Sequence, residues 1–426
     1  MIGAVDGDDA NKVDEVEHFL ELLEDVRSEC GQLKSYRLSC LPGAVYAPRD
    51  SHAFASGSIT FAQEKWPANA SLETLRSRCA RATVGIGTQT VLDPTIREGL
   101  HCSWDKVSDL LGPQYHYGWE SKLIDLGHLE RLIEKSPELK WLGEVPSYEI
   151  TLKPYRLNIY EQGGFFTSHR DSVTDEDTIG TLVVGFTHFQ YTGGALCINT
   201  HDDHWVKVGE DGKLPKDAEP DADGRPQAWW AAFYTDCRHE VLPVTSGARV
   251  TASFRIQLEF RPDGSDFPPE EFVEVDATLR TAIADYLESE YAGESVGIVL
   301  DHEYPTQRLT HRKLRGHDVD LVREIEARFH NVELVPIKVF TSQMPEGEAK
   351  FSVYSLDRLC PTLRHRGSIP FLYADTDPIQ IDCQQGAEHT GNEALEEKFT
   401  YLAYAVVFDV PSDEDTSGAE QQQPSQ

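Results

Sequence analysis

His169 and Asp171 stand two positions apart in a stretch, FFTSHRD, that reads as a strand, and a lone His239 follows 68 positions after Asp171. On an extended chain, side chains two apart project to the same face, so His169 and Asp171 can reach one ion while Arg170 points away. Two imidazoles and one carboxylate fill part of a metal's coordination sphere and leave the rest open. Such a set suits an iron that must also bind exogenous ligands, or a zinc that activates water. Ten residues beyond His239 comes Arg249. Its guanidinium is always charged and presents a planar fork that can hold a carboxylate at two points. Thr251 shares a strand face with Arg249 and offers a hydroxyl to the same carboxylate. Tyr160 and Asn158 occupy the polar face of an otherwise apolar strand, which marks them as a pocket wall or an exposed edge. Cys237 shares a face with His239, although a small buried hydrophobe is the commoner role of a free cysteine.

These residues need strands to position them, and the sequence from 155 to 260 supplies strands. YRLNIYE (155–161) alternates apolar and polar residues, and Gly163-Gly164 turns the chain into 165–171. TLVVGF (181–186), ALCIN (195–199), WWAAFY (229–234) and RVTASFRIQLEF (249–260) follow, separated by Gly193-Gly194 and Ser246-Gly247. Several short strands with glycine-rich turns and no helical period argue a β-sandwich or small barrel. A jelly roll fits metal ligands arriving from distant strands. The Trp229, Trp230, Phe233 and Tyr234 cluster reads as core.

The stretch Tyr160-x-x-Gly163-Gly164-x-Phe166-x-x-His169-x-Asp171 resembles the iron- and 2-oxoglutarate-dependent dioxygenases, in their prolyl 4-hydroxylase-like group. HEVLPVTSGARVTASF (239–254) is similar to that group's distal histidine and 2-oxoglutarate arginine, and Gly193-Gly194-Ala195-Leu196 to its hairpin. The C-terminal third, with DHEYPTQRLTHRKLRGHDVDL and Thr390-Gly391-Asn392-Glu393, resembles the extension of a subgroup within that family. The resemblance implies a double-stranded β-helix core of the jelly-roll or cupin-like type in an α+β chain, with flanking helices and a C-terminal α+β extension. It implies a hydroxylase that uses Fe(II), 2-oxoglutarate and O2, with ascorbate as an optional reductant, and that releases succinate and CO2. His169, Asp171 and His239 would ligate the iron, and Arg249, with Thr251 and Tyr160, would bind 2-oxoglutarate. Phe166 departs from the tyrosine that many prolyl hydroxylases carry at this place, so Tyr160 or Thr251 must supply the missing hydroxyl.

Two other readings use the same residues. A zinc hydrolase would need only the triad; it leaves Arg249 unexplained and lacks an evident general base. A non-catalytic jelly-roll binding protein would need none of the four. A second His-x-Asp, His201–Asp203, is a rival ligand pair, but it sits in a polar turn with too few strands before His239 to close a jelly roll. His302 and His365 lack partners at ligand spacing and read as surface or satisfied core histidines.

With 39 basic and 72 acidic residues among 426, the formal charge is −33. That argues against a nucleic-acid backbone as partner, since phosphate binding needs clustered Lys and Arg. A peptide, protein or small-molecule substrate is compatible, and a basic peptide especially so. The sequence shows no apolar run of membrane-spanning length and no secretory signal, and its eight cysteines lack C-x-x-C spacing. These features predict free thiols and a cytoplasmic or nuclear location. The expected organisation is an N-terminal helical and mixed segment (1–149), the oxygenase core (150–262) with a flexible loop at 207–226, the C-terminal α+β extension (263–410), and a disordered tail (411–426). Helices are expected at Val13–Cys30, Trp104–Leu111, His128–Leu142, Phe272–Glu290 and Val319–Phe329.

Overall fold

Nine described strands between 148 and 260 carry the candidate site: β1 (Tyr148–Glu161), β2 (Phe165–His169), β3 (Thr178–Phe186), β4 (Tyr191–Gly193), β5 (Leu196–Asn199), β6 (Trp205–Val208), β7 (Gln227–Tyr234), β8 (His239–Val241) and β9 (Val244–Phe260). The structure is a computed structural model. It describes residues 38–40, 54–61, 65–86, 89–111, 123–124, 126–134, 148–173, 175, 177–199, 205–215, 225–260, 277–304, 309–340, 350–353, 369–373, 389–391 and 402–412. The chain passes back and forth between two antiparallel sheets. The larger runs Phe54–Thr60, β7, β3, β9, β1, Leu100–Ser103, Ala80–Arg81, with β4 also paired to β9; the smaller runs β6, β5, β8, β2, Arg97–Glu98. This winding is a double-stranded β-helix.

Burial explains the composition of the central strands. β3 and β7 are buried along almost their whole length, so they read as continuous Val, Leu, Ala and aromatic runs rather than alternating ones. Trp229 is wholly buried, and a Cβ on Gly185 would lie 2.0 Å from its indole, so only glycine fits beside it. The helix Leu126–Glu134 lays Leu126, Leu129 and Ile133 on the core, and its Glu130 carboxylate accepts from the backbone N–H of Leu152 in β1 (2.8 Å).

Beyond the core come α1 (Ala277–Tyr291), β10 (Ser295–Tyr304), α2 (Gly316–Arg328), β11 (His330–Phe340) and β12 (Leu402–Asp409). Their sheet runs Leu38–Cys40, Phe371–Tyr373, β10, β12, β11, Lys350–Val353, with its own apolar cluster around Leu287, Ile298, Val322, Val406 and Phe408. The chain is thus α+β with a jelly-roll core. Thr390 returns to pair with Gly85 near the core's N-terminal side.

Several local expectations change. The stretch 104–111 is a 3-10 turn (Trp104–Lys106) followed by a single α-helical turn (Ser108–Leu111), too short for a regular helix. The first part of the expected loop is structured. β6 pairs with β5, the Tyr191 hydroxyl donates to the Gly209 carbonyl (2.6 Å), and the Asp211 carboxylate accepts from the Gly193 N–H (2.9 Å). Polar composition hid this order because only Val206, Val208 and Leu214 among these residues pack on the core, and the hydrogen bonds leave no compositional trace. Residues 216–224, Val13–Cys30, His201–Asp203, His365 and 413–426 lie outside the described residues. Among the described residues Cys79, Cys102, Cys197 and Cys237 are free thiols, and no helix is long and apolar enough to cross a membrane.

Candidate active site

β2 and β8 lie side by side, and their pairing brings His169 opposite His239. Asp171 follows two residues past the end of β2. One ligand atom each from His169, Asp171 and His239 lies within 4.8 Å of the other two, as one metal ion requires. His239 Nε2 is 3.8 Å from Asp171 Oδ1. The Nδ1 of His169 lies 2.8 Å from the Thr167 carbonyl oxygen, and that of His239 lies 3.0 Å from the Cys237 carbonyl oxygen. A carbonyl only accepts, so each Nδ1 donates its proton there and leaves Nε2 as the atom each ring can offer to the shared centre. Thr181 Oγ1 donates to Asp171 Oδ2 (2.5 Å), holding the carboxylate by its other oxygen. Phe166 stacks on the His169 ring at 3.6 Å between centroids, and Phe233 tilts against His239 at 4.7 Å. Phe166 therefore braces a candidate ligand from the place where a tyrosine was a family expectation.

The same pocket is lined by Arg249, Thr251, Tyr160 and Asn158. Arg249 pairs with Tyr160, and Thr251 with Asn158, across the β9–β1 ladder, so all four share one face. Tyr160 and Asn158 are therefore a buried pocket wall rather than an exposed edge. Arg249 is 1% exposed. Its guanidinium lies 5.3 Å from the Trp229 ring centroid and 5.6 Å from that of Tyr160. Gly194, at φ 61°, brings the hairpin against its aliphatic stem, where a Cβ would sit 3.2 Å from Cδ. Among the described residues, Nε and Nη2 of Arg249 donate no hydrogen bond. A buried cation with two adjacent unused donors is costly to maintain unless a ligand takes them, and a carboxylate matches both. The donor set and the open triad thus fit Fe(II) together with a dicarboxylic keto acid.

Arg97 was not among the sequence candidates. It reaches the pocket from the edge strand Arg97–Glu98, donates from Nη2 to Asn158 Oδ1 (2.8 Å) and the Tyr160 hydroxyl (3.1 Å), and stacks on Phe166 at 4.4 Å. Its partners lie about sixty residues away, so no local pattern marks it. Thr181 was likewise hidden in an apolar run. Arg255 completes a trio of guanidiniums around the pocket. In a chain of charge −33 this local positive field favours entry of a small dianion. Cys237 is buried in the core cluster and does not line the pocket. Trp230, Phe233 and Tyr234 are core residues, as expected.

Residues 155–256 match the 2OG-Fe(II) oxygenase superfamily. The domain is thus an oxidoreductase of the dioxygenase type, and that family's cofactor and co-substrates are Fe(II), 2-oxoglutarate and O2. Among solved structures the chain is similar to a Pseudomonas putida prolyl-4-hydroxylase, at 18% identity over 50% of this chain and 97% of that one, with a TM-score of 0.29. A Trichoplax adhaerens prolyl hydroxylase, in complex with a hypoxia inducible factor oxygen degradation domain peptide fragment, aligns at 13% identity over 49% and 84%, TM-score 0.28. The viral collagen prolyl hydroxylase of Paramecium Bursaria Chlorella virus-1 aligns at 16% identity over 47% and 94%, TM-score 0.23. No curated protein matches the chain.

Proposed function

We propose that the chain is a hydroxylase in which His169, Asp171 and His239 hold Fe(II), and Arg249, helped by Thr251 and Tyr160, anchors the far carboxylate of 2-oxoglutarate. The observation that carries this reading is Arg249: two buried donors without a partner among the described residues, in the pocket that holds the triad. When bound, the iron and its co-substrate supply the oxidation, converting a substrate C–H to C–OH while 2-oxoglutarate and O2 become succinate and CO2. The protein's own part is to bind and orient. The two Nδ1–H···O=C bonds fix the imidazoles, Thr181 fixes Asp171, and the buried Arg249 face sets the co-substrate's direction. No side-chain acid or base is required. Residues 150–262 form the catalytic unit, flanked by 1–149 and 263–410, with 411–426 as a tail.

The substrate is a peptide or a small molecule, and the net charge of −33 favours a basic peptide. A zinc hydrolase on the same ligands would leave Arg249 without a role, and a passive scaffold would need neither the triad nor Arg249. The test is a library of basic peptides incubated with enzyme, Fe(II) and 2-oxoglutarate under air. Gain of one oxygen atom on a peptide, coupled to succinate, supports the reading. Peptide cleavage with Zn(II) and no need for 2-oxoglutarate would replace it.

A further inference from the structure

Arg170, the residue between the two ligands of the His-x-Asp pair, turns away from the metal centre and forms a two-point ion pair with Glu303 of β10. Nη1 donates to Oε2 (2.5 Å) and Nη2 to Oε1 (3.0 Å). The same short segment grips the other ligand-bearing turn. Asp236 stands three residues before His239. Its Oδ2 accepts from the Glu303 N–H (3.3 Å) and pairs with His302 Nδ1 (2.9 Å), while its Oδ1 accepts from Arg315 Nη1 (2.7 Å). A third contact comes from Gly391, whose N–H donates to the Arg170 carbonyl (2.8 Å) and whose position leaves no slack: a Cβ there would lie 3.1 Å from Asp171 Oδ1.

The segment that does this is built for it. β10 breaks register with β12 between Val299 and Glu303. The Asp301 and His302 N–H groups turn instead to the Asp318 carboxylate at 2.8 and 3.0 Å, and the Tyr304 hydroxyl donates to it at 2.7 Å. His302, Asp318 and Arg315 are buried. Charged groups buried at this density are costly, and here each has a partner. The interaction runs from β10 through Asp236 to the Cys237 carbonyl that orients His239, and from Glu303 through Arg170 to both neighbours, His169 and Asp171.

We infer that the Asp301–Tyr304 segment and Gly391 of the C-terminal unit act as a two-sided clamp that sets the spacing of the iron ligands, with Glu303 and Asp236 as positioning residues. The inference rests on the triad assigned above. It gives the DHEY motif a task, holding the metal centre from behind. Outer partners of metal ligands change metal affinity by about 10–100-fold when removed, and the clamp acts at that level.

The test is Mn(II) binding by calorimetry on the full-length protein, which needs no turnover. Glu303→Gln removes the charge at nearly constant shape. Gly391→Ala leaves the ion pair intact and presses a methyl against Asp171. Both should raise the Mn(II) Kd by about 10-fold or more, and both should raise the Fe(II) concentration for half-maximal activity more than they lower kcat at saturating Fe(II). Pairing Arg170→Glu with Glu303→Arg should recover part of the affinity. If Glu303→Gln does not fold, Gly391→Ala and the exchanged pair decide. Unchanged Mn(II) affinity in the folded variants, even with a lowered Tm, overturns the clamp and leaves a merely structural contact. A wild type that binds Mn(II) without consuming 2-oxoglutarate overturns the proposed function and not the clamp; a wild type that binds no Mn(II) overturns both.

Discussion

His169 and His239 are direct partners across the β2–β8 ladder, with ring centroids 4.2 Å apart. Sixty-nine residues of intervening chain are thereby reduced to one strand spacing. Register is what unites the site, because a one-residue slip in either strand would send an imidazole to the opposite face.

This pairing, with Asp171 two residues on, sets the first expectation. His169→Ala, Asp171→Ala and His239→Ala each abolish measurable Mn(II) binding by calorimetry while the circular dichroism of the sheets is retained. Near-normal affinity in any one would remove that residue from the ligand set.

Arg249→Lys keeps a charge but loses the planar fork. A hydrogen bond to a charged group contributes on the order of 1.5–3 kcal/mol, roughly 10–150-fold in affinity. The 2-oxoglutarate concentration for half-maximal succinate release should rise within that range with Mn(II) binding intact. An unaltered 2-oxoglutarate dependence would remove Arg249 as the anchor.

Thr181→Val deletes the hydroxyl that holds Asp171 and little else, since the side chains are nearly isosteric. Metal affinity should fall by about 10–100-fold with a nearly unchanged Tm. Equal affinity in the two proteins would mean that the carboxylate is held without this bond.

His302 predicts a pH dependence of stability. Burial disfavours its cation, but the Asp236 carboxylate, by charge and hydrogen bond, and Asp318 behind it overcome that and raise its pKa above the usual value; Arg315 opposes them. A raised folded pKa gives stability that is complete below the unfolded value, about 6.5, and is lost as pH rises through the folded one. The urea midpoint of wild type should therefore exceed that of His302→Gln most in mildly acidic buffer, and the gap should narrow as pH rises. A gap that widens with pH would show that His302 is neutral in the folded protein.

The triad and Arg249 were legible because strand geometry forces residues two apart onto one face, and because glycine pairs mark the turns between strands. Arg97, Thr181 and the Glu303–Arg170 pair were not. Each acts across 10 to 133 residues of chain, and a lone polar residue in an apolar or irregular stretch leaves no periodic trace. His302 was expected as a surface or satisfied core histidine, and it is a satisfied core residue tied to Asp236. Residues 207–215 read as loop because part of their order comes from isolated hydrogen bonds, Tyr191 hydroxyl to Gly209 carbonyl and Gly193 N–H to Asp211 carboxylate, which composition does not register.

The most direct test of the central claim is the conversion of 2-oxoglutarate to succinate by the purified full-length chain. We expect succinate release under air that requires Fe(II), is not supported by Zn(II), and is lost in Asp171→Ala. Release that proceeds equally with Zn(II), or no release from metal-loaded wild type with its prime substrate present, would contradict the account.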